Sequence, residues 1–88
     1  MVIEIYTSNL CGHCLLAKKI LTKKNMAFVE INLDVEPNKR PEMNQRSGGR
    51  TSVPQIFFSN SHIGGHKELS LLERSGALDS FCKQIPTV

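Results

Sequence analysis

Hydrophobic and polar positions alternate along some short stretches of the chain and recur with helical spacing along others. Strands are predicted where β-branched and aromatic residues cluster, over residues 2–6, 27–33, 53–58 and 62–64. Helices are predicted from residue 12 onward and over residues 40–46, 67–74 and 77–84. The predicted order of elements is therefore β-α-β-α-β-β-α-α.

The first helix is predicted to be amphipathic. Lysines supply its solvent-facing side, at positions 18, 19, 23 and 24. Apolar residues supply its other side, at positions 15, 16, 17, 20 and 21. We therefore expect this apolar side, from Leu15 to Leu21, to be the one that packs against the core.

The order of elements defines a fold class. A β-α-β start implies a parallel pair of strands with a right-handed crossover. The polar turn at residues 59–61 joins the last two strands as an antiparallel hairpin. The expected fold is α/β, with a four-stranded mixed sheet and helices on both faces. A chain of 88 residues is expected to form one small domain, residues 1–88.

Composition and charge narrow the classes of binding partner that we expect. The net charge is +3, tryptophan is absent, and the basic residues are not interleaved with aromatic ones, so we expect no nucleic-acid partner. No apolar run approaches the length of a membrane span, so no membrane partner is expected. Met1 leads directly into the first strand without a charged and apolar leader, so the expected location is cytoplasmic, without a signal peptide.

The segment Cys11-Gly12-His13-Cys14 carries the clearest chemical signal. Its two cysteines have C-x-x-C spacing and lie between a predicted strand and a predicted helix. At a helix N-terminus, unpaired backbone N–H groups and the helix dipole favour a thiolate, which is the nucleophilic form of cysteine. Cys14 lies one turn later, within reach for a disulfide. The motif predicts a redox-active pair in which Cys11 is the nucleophile.

Two other interpretations of the cysteine pair remain open at this stage. In the first interpretation the pair is half of a zinc site, but such a site usually needs four ligands. Cys82 has no cysteine close to it in the sequence, and His62 and His66, four residues apart, fall in a predicted turn region around residues 64 and 65. Alternatively the disulfide is purely structural, which is unusual for so tight a loop at a helix start. We expect no metal site.

Pro54 also has two interpretations. It either marks the start of a strand, where a missing N–H costs least, or forms a cis bond with Val53. The cis form would expose the Val53 backbone to pair with an extended peptide beside the cysteines.

Beyond these features, the chain resembles the glutaredoxins, and more narrowly the short bacterial dithiol type. The resemblance covers nearly the whole chain and rests on several segments: residues 5–7 (I-Y-T), the C-x-x-C pair, Ala17, residues 46–48 (R-S-G), 53–57 (V-P-Q-I-F), 63–65 (I-G-G) and 75–78 (S-G-A-L). A C-x-x-C pair followed by V-P-Q-I-F and then I-G-G is far more specific than C-x-x-C alone.

This resemblance implies a thioredoxin-like fold and an oxidoreductase that uses glutathione as reductant and co-substrate, with no permanent cofactor. Cys11 would attack a protein disulfide or a glutathionylated protein, and Cys14 or glutathione would resolve the mixed disulfide. The resemblance implies glutathione contacts at His13, Ser52, Val53, Pro54, Gly65 and His66. It also implies a monomer.

The chain departs from the family pattern at three places. The usual proline and tyrosine between the cysteines are replaced by Gly12 and His13, the pair found in disulfide isomerases. Ser8 stands where the family usually has a lysine, and Lys67 where an acidic residue is common. We expect a more oxidising disulfide and weaker glutathione binding, unless Glu68 or Arg40 compensates.

Two alternative functions follow from the same resemblance. The first is a carrier that holds a [2Fe–2S] cluster between two chains through Cys11 and glutathione. The loss of the proline between the cysteines keeps this alternative open, whereas Cys14 argues against it. The second is a dithiol hydrogen donor that thioredoxin reductase reduces.

Overall fold

The computed structural model describes residues 1–84, with side chains through residue 81. Its elements are β1 (Ile3–Thr7), α1 (Gly12–Lys23), β2 (Val29–Asn32), a 3₁₀ turn (Pro37–Lys39), α2 (Arg40–Arg46), β3 (Gln55–Phe58), β4 (Ser61–Gly64), α3 (His66–Arg74) and α4 (Ala77–Gln84). The predicted order is confirmed. Within residues 1–84, no helix is long and apolar enough to cross a membrane.

The strands form one mixed sheet in the order β2-β1-β3-β4. β1 and β2 are parallel, while β1 and β3, and β3 and β4, are antiparallel. All four residues of β3 are buried, as expected for a central strand. β3 begins two residues later than predicted, because Pro54 has no N–H with which to join the ladder. The predicted mixed sheet is confirmed.

Side chains of successive strand residues point to opposite faces of the sheet, so the core has two parts. On one face, strand residues pack against α1, α3 and α4 in a cluster of Ile3, Ile5, Ala17, Leu21, Met26, Ile56, Phe58, Leu69 and Leu78. On the other face, α2 contributes Met43 to a cluster with Tyr6, Leu33 and Phe57. Helices therefore cover both faces, as predicted.

The predicted core-facing side of α1 is wrong in part. Leu15 and Leu16 are 52% and 46% exposed, whereas Cys14, Ala17 and Leu21 are buried. Positions three and four residues apart share one face of a helix, so a buried stripe that begins at Cys14 turns both leucines away from the sheet. The leucines therefore lie on the surface close to the cysteine pair.

A polar network fixes α2 to the sheet. The buried Tyr6 hydroxyl donates to the Glu42 carboxylate and accepts a bond of 2.7 Å from Arg46. Arg46 also donates to Glu4 at 2.9 Å and stacks over the Phe57 ring, 4.1 Å from its centroid. Burial, and then the Glu42 carboxylate, raise the pKa of Tyr6 to about 12. Tyr6 is therefore a protonated structural donor.

Candidate redox site

The two cysteines of the C-x-x-C segment form a disulfide at the start of α1. Cys11 is the N-cap residue of the helix, and the Cα atoms of Cys11 and Cys14 are 5.2 Å apart. Cys14 is only 2% exposed, whereas Cys11 is partly exposed. An approaching thiol or disulfide therefore meets the sulfur of Cys11.

The surroundings of Cys11 favour negative charge on its sulfur. The Cys14 N–H donates to the Cys11 Sγ over 3.1 Å. The first turn of α1, residues 12–15, contains no acidic side chain that would oppose the helix dipole. These are the surroundings in which the sequence analysis predicts a reactive thiolate at Cys11 after reduction of the disulfide.

The segment before β3 lies directly beside this sulfur. The carbonyl oxygen of Val53 is 4.0 Å from the Cys11 Sγ. Of the two interpretations of Pro54, the structure has the cis Val53–Pro54 bond. The Val53 backbone is thus next to the disulfide.

A groove of about 210 Å³ begins at this point. Its lining includes all six residues predicted to contact glutathione: His13, Ser52, Val53, Pro54, Gly65 and His66. It also includes Arg50, which the sequence analysis did not single out. The Arg40 side chain donates a hydrogen bond to the Thr51 carbonyl oxygen at 3.0 Å. Arg40 is not among the described residues that line the groove.

Two imidazole rings meet across the groove. His13, near the start of α1, and His66, the first residue of α3, have ring centroids 5.4 Å apart and planes at 78°. This is an edge-to-face contact, which aromatic rings favour. The sequence contains no signal for this contact, because the two histidines are far apart along the chain.

The N-terminus of α3 is capped from within the protein. The Gly65 N–H donates to the Glu68 carboxylate at 2.7 Å, and Arg50 donates to the same oxygen at 3.3 Å. The Gly65 N–H, more than Arg50, lowers the pKa of Glu68 below its ordinary value. The backbone N–H of Gly65, a residue predicted to contact glutathione, is therefore already hydrogen-bonded to a side chain of the protein.

The two cysteines form a disulfide at the N-terminus of a helix that packs on a mixed sheet, and only one of the two sulfur atoms is reachable from solvent. This arrangement defines a thiol–disulfide oxidoreductase. The family model for glutaredoxin matches residues 3–63. The chain is 46% identical over 81 residues to glutaredoxin 3 of Escherichia coli (strain K12), covering 92% of this chain and 96% of that protein. The chain belongs to the glutaredoxin family, whose members are thiol–disulfide oxidoreductases.

Solved structures agree with this assignment. The solution structure of glutaredoxin from Brucella melitensis has a TM-score of 0.80 and 40% identity, covering all of this chain and 95% of that one. The crystal structure of a buckwheat glutaredoxin–glutathione complex has a TM-score of 0.83 and 25% identity, covering 93% of this chain and 76% of that one. The predicted thioredoxin-like fold is confirmed, and so is the predicted class of enzyme.

Proposed function

We propose that this protein is a glutathione-dependent oxidoreductase that reduces disulfide-containing and glutathionylated proteins through Cys11 and Cys14. The observation that carries the proposal is the groove beside the disulfide, because it gathers His13, Ser52 and Val53, and the Val53 carbonyl oxygen lies 4.0 Å from the Cys11 sulfur. The similar buckwheat protein was solved with glutathione bound. That complex supports glutathione as the ligand of the groove in this chain.

The first half of the reaction is an exchange at Cys11. The Cys11 thiolate attacks one sulfur of the substrate disulfide, so that a mixed disulfide forms and the other substrate sulfur leaves as a thiolate that takes up a proton. The buried Cys14 thiol then loses its proton and attacks the Cys11 sulfur of the mixed disulfide. The substrate leaves as a dithiol, and the Cys11–Cys14 disulfide is left on the enzyme.

Glutathione completes the cycle in two exchanges. One glutathione thiolate attacks the Cys11 sulfur, forming a Cys11–glutathione disulfide and releasing the Cys14 thiol. A second glutathione thiolate attacks the glutathione sulfur of that mixed disulfide, releasing oxidised glutathione and the Cys11 thiolate. The sum is one substrate disulfide and two glutathione molecules converted to one substrate dithiol and one oxidised glutathione.

The groove suits an extended, doubly carboxylated peptide. A peptide that pairs with the backbone of Val53 places its own cysteine at the Cys11 sulfur, 4.0 Å from the Val53 carbonyl. Arg50 lines the groove as a cation. The first turn of α3, beginning at His66, adds backbone N–H groups that attract a carboxylate.

Glutathionylated substrates need only Cys11. The Cys11 thiolate attacks the glutathione sulfur, the protein thiol leaves, and a second glutathione regenerates the enzyme. We also propose that the protein acts as a monomer, because every group invoked here lies on one chain. We further propose a cytosolic site of action, because the cycle needs a supply of reduced glutathione.

A coupled assay tests the proposal. The wild-type protein is given a protein disulfide or a glutathionylated protein, with NADPH and either glutathione plus glutathione reductase or thioredoxin reductase alone. We expect turnover with glutathione on both substrates. Cys11→Ser should abolish both activities, and Cys14→Ser should lose the first while keeping part of the second. Turnover only with thioredoxin reductase would refute glutathione dependence and favour the hydrogen-donor alternative.

A labelling experiment tests the assignment of Cys11 separately. In the reduced protein near pH 6, iodoacetamide should modify Cys11 first, because this sulfur is reachable and lies at the helix N-terminus. Mass spectrometry of the digested protein identifies the labelled cysteine. Preferential labelling of Cys14 would overturn the assignment.

A further inference from the structure

A second cavity, of about 440 Å³, opens at the same disulfide. Leu10 and Leu15 line it together with Cys11, and the residues that line it are all different from those that line the groove. Leu10 is 106% exposed and Leu15 is 52% exposed. We call these two side chains the leucine face.

Protein stability does not explain why a leucine stands at position 10. Its φ angle of 53° lies in the left-handed region, where a leucine costs more backbone energy than a glycine or an asparagine. Its side chain, fully in solvent, recovers none of that cost by burial. Leu10 is thus an apolar side chain held in solvent directly before the cysteine that reacts.

Four of the polar side chains that line the cavity are paired with one another. Lys18 and Glu30 form an ion pair at 3.1 Å, and Asn32 donates to the Asn9 side chain at 3.0 Å. A hydrogen bond from the Thr7 hydroxyl is the main reason that the pKa of Glu30 is lowered. The cavity therefore has one cation paired with one anion, and the leucine face is its apolar part. Such a surface matches a partner that is uncharged and apolar at the point of contact.

We propose that the leucine face is the docking surface for protein substrates. Its occupant is an extended segment of a disulfide-containing protein with an apolar side chain next to the cysteine that Cys11 attacks. This inference rests on the proposed function, because it takes protein disulfides as substrates of Cys11 and places glutathione on the other side of Cys11, along the groove at Val53. Cys11 lines the cavity and also approaches Val53, so one sulfur serves both sides.

The test compares two substrates on the same variants. The first is a peptide dimer joined by a disulfide, with leucine beside each cysteine, and its matched form has serine in place of leucine. The second is the mixed disulfide of glutathione and β-mercaptoethanol. Leu15→Ser removes one half of the face. Leu10→Asn removes the other half while keeping a residue that tolerates the left-handed backbone.

We expect each variant to lower kcat/KM for the leucine peptide about fivefold to tenfold. We expect changes below twofold for the serine peptide and for the mixed disulfide. Leu71→Ser is the matched control, because Leu71 is also about half exposed, at 51%, and lies on α3, where it is not among the residues that line the cavity or the groove. It should leave all three rates unchanged. Thermal unfolding of each variant checks that the fold is intact.

Three results would overturn the inference. They are an equal loss on all substrates, no loss on any substrate, or the same selective loss in Leu71→Ser. Running the peptide assay with dithiothreitol as the reductant keeps the inference separate from glutathione dependence. If the wild-type protein fails with glutathione but the leucine peptide remains preferred with dithiothreitol, the proposed reductant is wrong and the docking surface stands.

Discussion

Glu68 holds the rim of the proposed glutathione groove at Gly65, and its contribution to stability can be measured directly. Its carboxylate accepts the Gly65 N–H at 2.7 Å and pairs with Arg50 at 3.3 Å. Glu68→Ala removes both interactions. Glu68→Gln keeps an oxygen that can accept the Gly65 N–H but removes the charge, so the pair of variants separates the helix cap from the ion pair.

The expected loss of unfolding free energy in each variant follows from the two contacts of Glu68. A side-chain cap at a helix N-terminus contributes about 1 kcal/mol. The Arg50 and Glu68 side chains are 44% and 36% exposed, so solvent screening limits their ion pair to about 0.5 kcal/mol. We therefore expect Glu68→Ala to cost about 1.5 kcal/mol of unfolding free energy, and Glu68→Gln about 0.5 kcal/mol. For a domain of this size, these costs lower Tm by roughly 6–12 °C and 2–4 °C.

The effect should depend on pH in one direction. The Gly65 N–H lowers the pKa of Glu68 in the folded protein. Its pKa in the unfolded chain is about 4.3, so the unfolded state takes up the proton first as the pH falls. The stability from the charged Glu68 is therefore fully present above about pH 4.3 and is lost as the pH falls through the lower, folded value.

Thermal and urea unfolding at pH 7 and near pH 3 measure both variants against the wild-type protein. The difference between the wild-type protein and Glu68→Ala should shrink at the lower pH. Two results would refute the argument: a loss in Glu68→Gln equal to that in Glu68→Ala, or a difference that persists unchanged at low pH. The first would mean that the charge, rather than the cap, dominates.

Three further predictions concern the same region. Gly64 has a φ of 122°, and an added methyl group would collide with the capping carboxylate, so Gly64→Ala should lower the unfolding free energy by about 2 kcal/mol or more, read from urea midpoints. Replacing Gly12 with Pro and His13 with Tyr should shift the reduction potential, measured against the glutathione couple, by about 30 mV to more negative values; an unchanged potential would mean that His13 does not stabilise the Cys11 thiolate. Lys67→Asp should lower the KM for glutathione about threefold. Ser8→Lys should change this KM less, because Ser8 lines the other cavity; equal effects of the two variants would contradict a glutathione site in the groove that Lys67 lines.

The order of elements could be predicted from the sequence pattern, and the resemblance to the glutaredoxins named six residues that line one groove in the structure. Both depend on local signals: alternation for the strands, and short segments such as V-P-Q-I-F and I-G-G at fixed places in the chain. The side of α1 that faces the sheet was predicted less well. Leu15, Leu16 and Ala17 are adjacent apolar residues, and only the position of the sheet decides which of them is buried.

Contacts between distant side chains could not be predicted. The edge-to-face pair of His13 and His66 exists because α1 and α3 begin beside the same groove. Arg50 reaches Glu68 for the same reason. Neither pair leaves a periodic signal in the sequence, since both depend on how the helices pack against the sheet.

The burial of Cys14 has a kinetic consequence. A thiol or disulfide from solution can reach only the Cys11 sulfur, because Cys14 is buried. The disulfide substrate and the reducing thiol therefore cannot both be covalently bonded to the enzyme at the same time. One product must leave before the next partner forms its bond, whichever side of the sulfur that partner approaches. Steady-state rates measured at several fixed concentrations of either partner should therefore give parallel lines in double-reciprocal plots, the pattern of a ping-pong mechanism.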